Sequence, residues 1–157
     1  MEAGKDILSS EWFLKGFEQP HHFGSNVSDH ELHVAFVSLK IAGLFRNADR
    51  RALIRACLCH DMGLIGNRKA VYTTGRMCIT QHPLDSAKRA EEILGALTDI
   101  ERDIIVNHMF PLVLNPPKTG EGALICVADK ICAIFDPIMI GRRSARFRER
   151  MNISVRA

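Results

Sequence analysis

Apolar residues recur at helical spacing along most of the chain. Between residues 28 and 44 one stripe joins His30 and Val34 to Leu44, which predicts a helix capped by Ser28 or Asp29 with this stripe facing the core. The same spacing, together with helix-capping and helix-breaking residues, predicts six further helices. Two of them have clear start signals, which are Pro83 and a capping box formed by Thr98 and Glu101. The predicted helices cover 6–17, 49–60, a segment from 83 onward, 98 to about 108, 123–135 and 137–151. Residues 63–81 and 111–122 are predicted loops. The predicted fold class is therefore all-α, a compact single-domain helical bundle.

Composition fits one globular domain over residues 1–157, because 46% of the residues are apolar and 25% are charged. A domain of this length buries enough surface to fold without disulfides or a structural metal. The five cysteines are odd in number and contain no CxxC pair, which indicates reduced thiols. The longest apolar run, Ala123–Ala128, is too short to cross a bilayer, so we expect a cytoplasmic protein with no membrane partner.

Positive charge is concentrated at the C-terminal end. Residues 138–157 hold six arginines and one acidic residue, Glu149, so the formal charge of this segment is +5. Residues 1–137 carry −2, which gives the chain its net charge of +3. A nucleic-acid interface spreads its basic charge across a folded face. We therefore expect a solvated, amphipathic C-terminal segment, and we do not expect nucleic acid to be a partner.

Ionisable residues within apolar surroundings carry the chemical signal. His60 and Asp61 follow Ala-Cys-Leu-Cys, and Asp129 lies inside the apolar run 124–134. A buried carboxylate must be paired, hydrogen-bonded or bound to a cation, and Asp129 alone is explained as well by an ion pair with Lys130. His30, His82 and His108 also fall on apolar faces or at predicted helix ends. Each histidine alone fits a core position, but together they indicate a site for iron, zinc, manganese or cobalt.

These residues resemble a known pattern. His30 with Val34-Ala35, then His60-Asp61, then Val127-Ala128-Asp129-Lys130 resemble the H…HD…D motif of the HD-domain metal-dependent phosphohydrolase superfamily, over residues 26–136. Within this superfamily the chain resembles small HDIG-type proteins. His82 and His108 match the two further histidines of the binuclear branch. The resemblance implies two divalent transition-metal ions, one held by His30, His60, Asp61 and Asp129, the other by His82 and His108, with Asp61 as the bridge and Asp61 and His60 as the catalytic residues.

The activity implied by this resemblance is hydrolysis of a small phosphate ester, preferably a nucleotide, by a metal-bridging hydroxide. Lys130 and Arg76 are the preferred phosphate contacts, ahead of the loop cations Arg68, Lys69 and Lys118. The related HD-GYP phosphodiesterases of cyclic dinucleotides carry a pair of adjacent histidines and a Gly-Tyr-Pro loop. This chain has neither at His108, so the resemblance disfavours cyclic dinucleotides as substrates.

Several alternatives stay open from the sequence. The same ligands occur in HD-type di-iron oxygenases acting on an organophosphonate or a polyol, and a metal-holding nucleotide sensor or binding module is a third class. A homodimer is also open. His33 competes with His30 for the first ligand position, although His30 has the family's spacing to Val34-Ala35. His21 and His22 lie in a Pro- and Gly-flanked loop, where we expect solvent exposure, with the mouth of the pocket as the alternative.

Overall fold

The computed structural model of the protein describes residues 2–21, 25–67 and 75–150, and within 136–150 the backbone only. Every regular element in these ranges is a helix, which confirms the all-α prediction. The α-helices are α1 (Lys5–Leu8), α2 (Glu11–Gly16), α3 (Val27–Ala42), α4 (Arg50–Cys57), α5 (Cys78–Leu94), α6 (Asp99–Asn107) and α7 (Gly120–Arg150). Short 3-10 helices cover Glu2–Gly4 and Met62–Leu64. None of the helices described is long and apolar enough to cross a bilayer.

The predicted first helix, over 6–17, is wrong because two serines divide it. The hydroxyl of Ser9 donates to the carbonyl of Lys5, and the hydroxyl of Ser10 donates to that of Ile7, which ends α1. Ser10 then caps α2 by accepting a hydrogen bond from the backbone N–H of Phe13. The chain thus turns between two short helices where the periodicity alone predicts one.

The cap of α3 is Asn26, whose side chain accepts from the N–H of Asp29 at 2.8 Å. The predicted caps Ser28 and Asp29 are therefore wrong by two or three residues. Ser28 instead donates its hydroxyl to the carbonyl of Phe13, which fastens α3 to α2. The helix ends at Ala42, so the predicted apolar stripe stops short of Leu44, which is 81% exposed.

Two prolines lie inside helices and not at their predicted boundaries. α5 begins at Cys78, so Pro83 lies within it and the predicted loop 63–81 is shorter. α7 continues through Pro137 as one helix, where two helices were predicted. Proline removes its own N–H from the helical ladder and crowds the carbonyl four residues earlier, but both helices continue through it.

The caps at Asp49 and Thr98 are confirmed, including the complete capping box between Thr98 and Glu101. α4, however, ends at Cys57, and the chain reaches His60 through a turn. α3 packs against α4 and α7, and α6 packs against α4, α5 and α7. The buried apolar residues come from α1 to α7, so the core lies between these helices and surrounds the turn that carries His60. All five cysteines are free thiols, and all but Cys78 are buried.

Candidate metal centre

The six predicted metal ligands meet at one buried point. His30 comes from α3, His60 and Asp61 from the turn after α4, His82 from α5, His108 from the C-cap of α6 and Asp129 from α7. Each is at most 7% exposed. Their ligand atoms form two groups in which all members lie within 4.8 Å of one another: His30, His60, Asp61 and Asp129 in the first group, and Asp61, His82 and His108 in the second group.

Asp61 belongs to both groups, and each of its carboxylate oxygens faces a different one. Its Oδ2 lies 3.7 Å from Nε2 of His30 and 3.6 Å from Nε2 of His60. Its Oδ1 lies 3.2 Å from Nε2 of His82 and 3.3 Å from Nε2 of His108. Asp129 contributes only to the first group, where its Oδ1 lies 2.9 Å from Nε2 of His30. The carboxylate of Asp61 is thus placed between two positions, each of which can take a cation.

Three of the histidines are oriented by their own helix ends. Nδ1 of His60, His82 and His108 lies 2.7–2.8 Å from the backbone carbonyl of Cys57, Cys78 and Ile105, respectively. A carbonyl accepts only, so each of these bonds assigns a proton to Nδ1. The lone pair of each neutral ring is then on Nε2, which faces the centre, as in metal-ligating histidines.

The nitrogen atoms at the centre fit a cation. Nε2 of His60 is buried and has no hydrogen-bond partner within the described part of the chain. Nε2 of His82 lies 3.0 Å from Nε2 of His108, and with both Nδ1 atoms protonated two neutral rings would oppose their lone pairs there. A proton or a cation between these atoms removes the repulsion. Imidazole and carboxylate donors together suit iron, zinc, manganese or cobalt.

The ionisation of these groups reflects the same crowding. Burial favours the neutral form of Asp61 and Asp129, but the charge and hydrogen bonds of the surrounding histidines outweigh it and hold the pKa of both carboxyls well below the usual range. For His108, burial favours the neutral ring and lowers the pKa. For His82 the burial effect is outweighed by hydrogen bonding to Asp61 and Cys78, and the pKa rises to about 10.

Glu31 is a buried acid at the centre that sequence reasoning missed. Its side chain is fully buried beside His30, and Oε1 accepts a hydrogen bond from the N–H of Asp61 at 3.2 Å. Burial, together with the negative charge of Asp61, raises the pKa of Glu31 well above its usual range. Glu31 thus holds the Asp61 backbone through its side-chain oxygen. Its position directly after His30 is visible in the sequence, but its burial and its bond to Asp61 are not.

His21 is the second residue whose place the sequence did not give. Its side chain is only 7% exposed, and Nε2 lies 3.3 Å from Oδ2 of Asp61. Solvent exposure was therefore the wrong expectation, and the alternative at the mouth of the pocket describes its position better. His22 lies outside the described residues. His33, the competitor of His30, is partly exposed and belongs to neither ligand group.

Gly63 sets the distance between the His-Asp turn and α5. A Cβ atom on Gly63 would lie 2.1 Å from the carbonyl oxygen of His82 and 2.9 Å from Oγ of Ser86. The N–H of Gly63 donates to that Oγ at 2.8 Å. The side chain of Arg89 contacts the carbonyls of Met62 and Ile65 and fixes the same turn. This close approach of the turn to α5 accompanies the 3.2 Å distance between Oδ1 of Asp61 and Nε2 of His82.

A cavity of about 880 Å³ opens beside the ligands. Its wall includes polar groups of Asp61, His82, His108, His21 and Lys130, and the apolar side chains of Leu64, Ile79, Met109, Leu112 and Ile134. Nζ of Lys130 donates to the carbonyl of His108 and to Oδ2 of Asp129, both at 2.7 Å. Arg76 is exposed and is not part of the wall. Arg68 and Lys69 lie outside the described residues.

Comparison with known proteins gives the family of the chain. Comparisons with curated proteins and with solved structures found no match. The model of the HD domain family, however, matches residues 27–134. This range is more than half of the chain, and it includes all six residues of the two ligand groups. The two buried groups and the family match lead to the same conclusion, and the protein belongs to the HD domain family.

Proposed function

We propose that this protein is a metal-dependent phosphohydrolase of the binuclear, HDIG-type branch, acting on a small phosphate ester. HD domains are generally metal-dependent hydrolases, and the buried His and Asp groups can bind metal ions. The observation that carries the binuclear assignment is the position of Asp61, whose two carboxylate oxygens face different sets of histidines. A carboxylate with this placement could bind one cation through each of its oxygens.

In this proposal the first ion is held by His30, His60, Asp61 and Asp129, and the second is held by Asp61, His82 and His108. When bound, two such cations supply Lewis acidity, which lowers the pKa of water between them and compensates the charge of a phosphate. His60 and Asp61 are the proposed catalytic residues, because Asp61 faces both ligand groups and Nε2 of His60 lies 3.6 Å from its Oδ2. Their buried surroundings exclude bulk water, which strengthens every charge interaction there.

The cavity supports a phosphate ester with an apolar or aromatic part, and a nucleotide is the substrate that we propose. Its volume of about 880 Å³ is within the range for small-molecule sites. Among the described residues of its wall, Lys130 is the single lysine or arginine. Two of the three N–H donors of Lys130 already bind His108 and Asp129, which leaves one for a phosphate oxygen. Leu112, Ile79 and Ile134 offer an apolar surface for the remainder of the substrate.

Arg76 enters this proposal only for a long substrate. It lies outside the cavity wall, while its neighbours Cys78 and Ile79 are part of the wall. We therefore do not propose that Arg76 contacts a phosphate bound at the metal centre. A second phosphate group, extending past Ile79, is the kind of substrate that it can contact.

The test is phosphate release by the purified protein after chelation and reloading with Mn²⁺, Fe²⁺, Co²⁺ or Zn²⁺. A panel of nucleotides and generic phosphoesters is the substrate set. We expect at least one ester to be hydrolysed, with turnover lost on renewed chelation, and lost in His60→Ala. His33→Ala is the matched control, because His33 belongs to neither ligand group, and it should retain turnover.

Two other results would contradict the proposal. A metal-loaded protein that hydrolyses no ester but consumes oxygen with an organophosphonate or a polyol is a di-iron oxygenase. A loaded protein that binds nucleotides without turning them over is a sensor or binding module.

A further inference from the structure

The loop between α2 and α3 carries a histidine to the metal centre. The loop is closed by two hydrogen bonds, from the N–H of His21 to the carbonyl of Ser25 at 2.9 Å and from the N–H of Val27 to the carbonyl of Gln19 at 3.1 Å. The side-chain oxygen of Gln19 also accepts from the N–H of Gly66 at 2.9 Å. The loop is thus fastened both to itself and to the segment that follows the His-Asp turn.

This anchoring places His21 on one particular side of Asp61. Nε2 of His21 lies 3.3 Å from Oδ2 of Asp61, the oxygen that also faces His30 and His60. The rings of His21 and His30 lie 4.5 Å apart between centroids. Nε2 of His21 is buried, and its ring forms part of the cavity wall. His21 therefore lies on the side of Asp61 that faces the first ligand group, although its ring nitrogens are not within 4.8 Å of every ligand atom of that group.

We propose that His21 is an additional protein ligand of the first metal position, delivered by this loop. The inference rests on the proposed binuclear site. A neutral imidazole nitrogen beside a carboxylate oxygen is a donor of the same kind as those of His30 and His60. The competing explanation is a structural one, in which the ring of His21 only packs on His30 and bonds to Asp61.

The inference makes the two metal positions unequal. The first would have three imidazoles and two carboxylates, His21, His30, His60, Asp61 and Asp129, whereas the second would have only His82, His108 and Asp61. An ion that takes six ligands then keeps about one coordination position at the first site and about three at the second. A phosphate oxygen of the substrate would accordingly bind at the second site. The first site, with more nitrogen donors, would bind cobalt or zinc more tightly.

Cobalt binding separates the ligand role from the packing role without any measurement of activity. The apo protein is titrated with Co²⁺, and the exchangeable ring N–H signals shifted by the paramagnetic ion are counted by NMR. We expect five in the wild type, from His21, His30, His60, His82 and His108, and four in His21→Ala and His21→Phe. The first binding event should weaken by about 10- to 100-fold in both variants. The control His33→Ala should retain all five signals.

The Phe variant decides between the two roles, because it keeps a ring against His30 but removes the nitrogen. An unchanged first cobalt affinity in His21→Phe, or four shifted signals already in the wild type, would overturn the ligand role. A wild-type protein that binds no cobalt would instead refute the proposed metal centre. The failure of this inference is therefore distinguishable from the failure of the proposed function.

Discussion

Asp61→Asn tests the bridging carboxylate by its effect on metal-dependent stability. Asparagine keeps the size of the side chain but removes the negative charge that faces both ligand groups. A metal that binds only the folded protein stabilises it by RT ln(1 + [M]/Kd), which is about 4.1 kcal/mol at a thousandfold excess over Kd. For a chain of this length, one kcal/mol moves Tm by about 2–4 °C. Each occupied site should therefore raise Tm of the wild type by about 8–16 °C.

Loss of one carboxylate changes this increment at both sites. Even the loss of a partner outside the ligand set weakens metal binding by about 10- to 100-fold. If Kd rises a hundredfold, the same metal concentration is only tenfold in excess, and the stabilisation falls to about 1.4 kcal/mol for each site. The Tm increment of Asp61→Asn should then be about 3–6 °C for each site. The comparison uses the rise in Tm on adding metal, so a change in the stability of the apo protein cancels.

The assay is thermal unfolding, followed by circular dichroism with and without Mn²⁺ or Co²⁺. Asp103→Asn is the matched control, because Asp103 is also buried but belongs to neither ligand group. It accepts hydrogen bonds from the N–H groups of Lys118 and Thr119. Its loss should lower Tm equally with and without metal. Equal metal-dependent increments in the wild type and Asp61→Asn would refute the bridging role.

Three further predictions concern the second site, the packing and the pH dependence. His82→Ala and His108→Ala should each reduce metal content by elemental analysis from close to two ions to close to one. Gly63→Ala should destabilise the protein by about 1–3 kcal/mol in urea unfolding, because its Cβ would meet the backbone of α5. Gly120→Ala, where a Cβ meets nothing within 4 Å, should not. Burial raises the pKa of Asp103, but bonds from Thr119, Lys118 and Asn107 outweigh it and lower the pKa overall. The free energy of unfolding that ionised Asp103 contributes should thus be fully present above the ordinary carboxyl pKa. It should be lost as the pH falls through the lowered pKa of Asp103 in the folded protein, and Asp103→Asn should remove this acid-dependent loss.

Much of the fold could be predicted because it depends on local patterns, whereas the six candidate metal ligands were proposed from the resemblance to the HD motif. Thr98 and Glu101 satisfy each other's backbone N–H groups within one turn, so the start of α6 can be read from four residues. His60 and Asp61 stand out because charge within an apolar run demands a partner. The structure brings these two together with the other predicted ligands.

The misplaced residues depend on contacts between distant parts of the chain. His21 lies in a loop, where no periodicity indicates which way a side chain faces, and its place is set by the bond between Gln19 and Gly66. Pro83 is a common first residue of helices, but α5 begins at Cys78 and the carbonyl of Cys78 orients His82. Glu31 reads as an ordinary charged helical residue until the backbone of Asp61 is placed beside it.

The wide spacing of the ligands along the chain determines how the protein opens. His30 and Asp129 are 99 residues apart in sequence, yet Nε2 of one lies 2.9 Å from Oδ1 of the other. With the turn after α4, α5 and α6 also contributing ligands, a bound ion would act as a non-covalent cross-link between α3 and α7. If α3, α5, α6 or α7 unfolded locally, it would have to give up a ligand first. In hydrogen exchange, metal should therefore slow the local opening of all these helices together and convert separate fluctuations into one cooperative event.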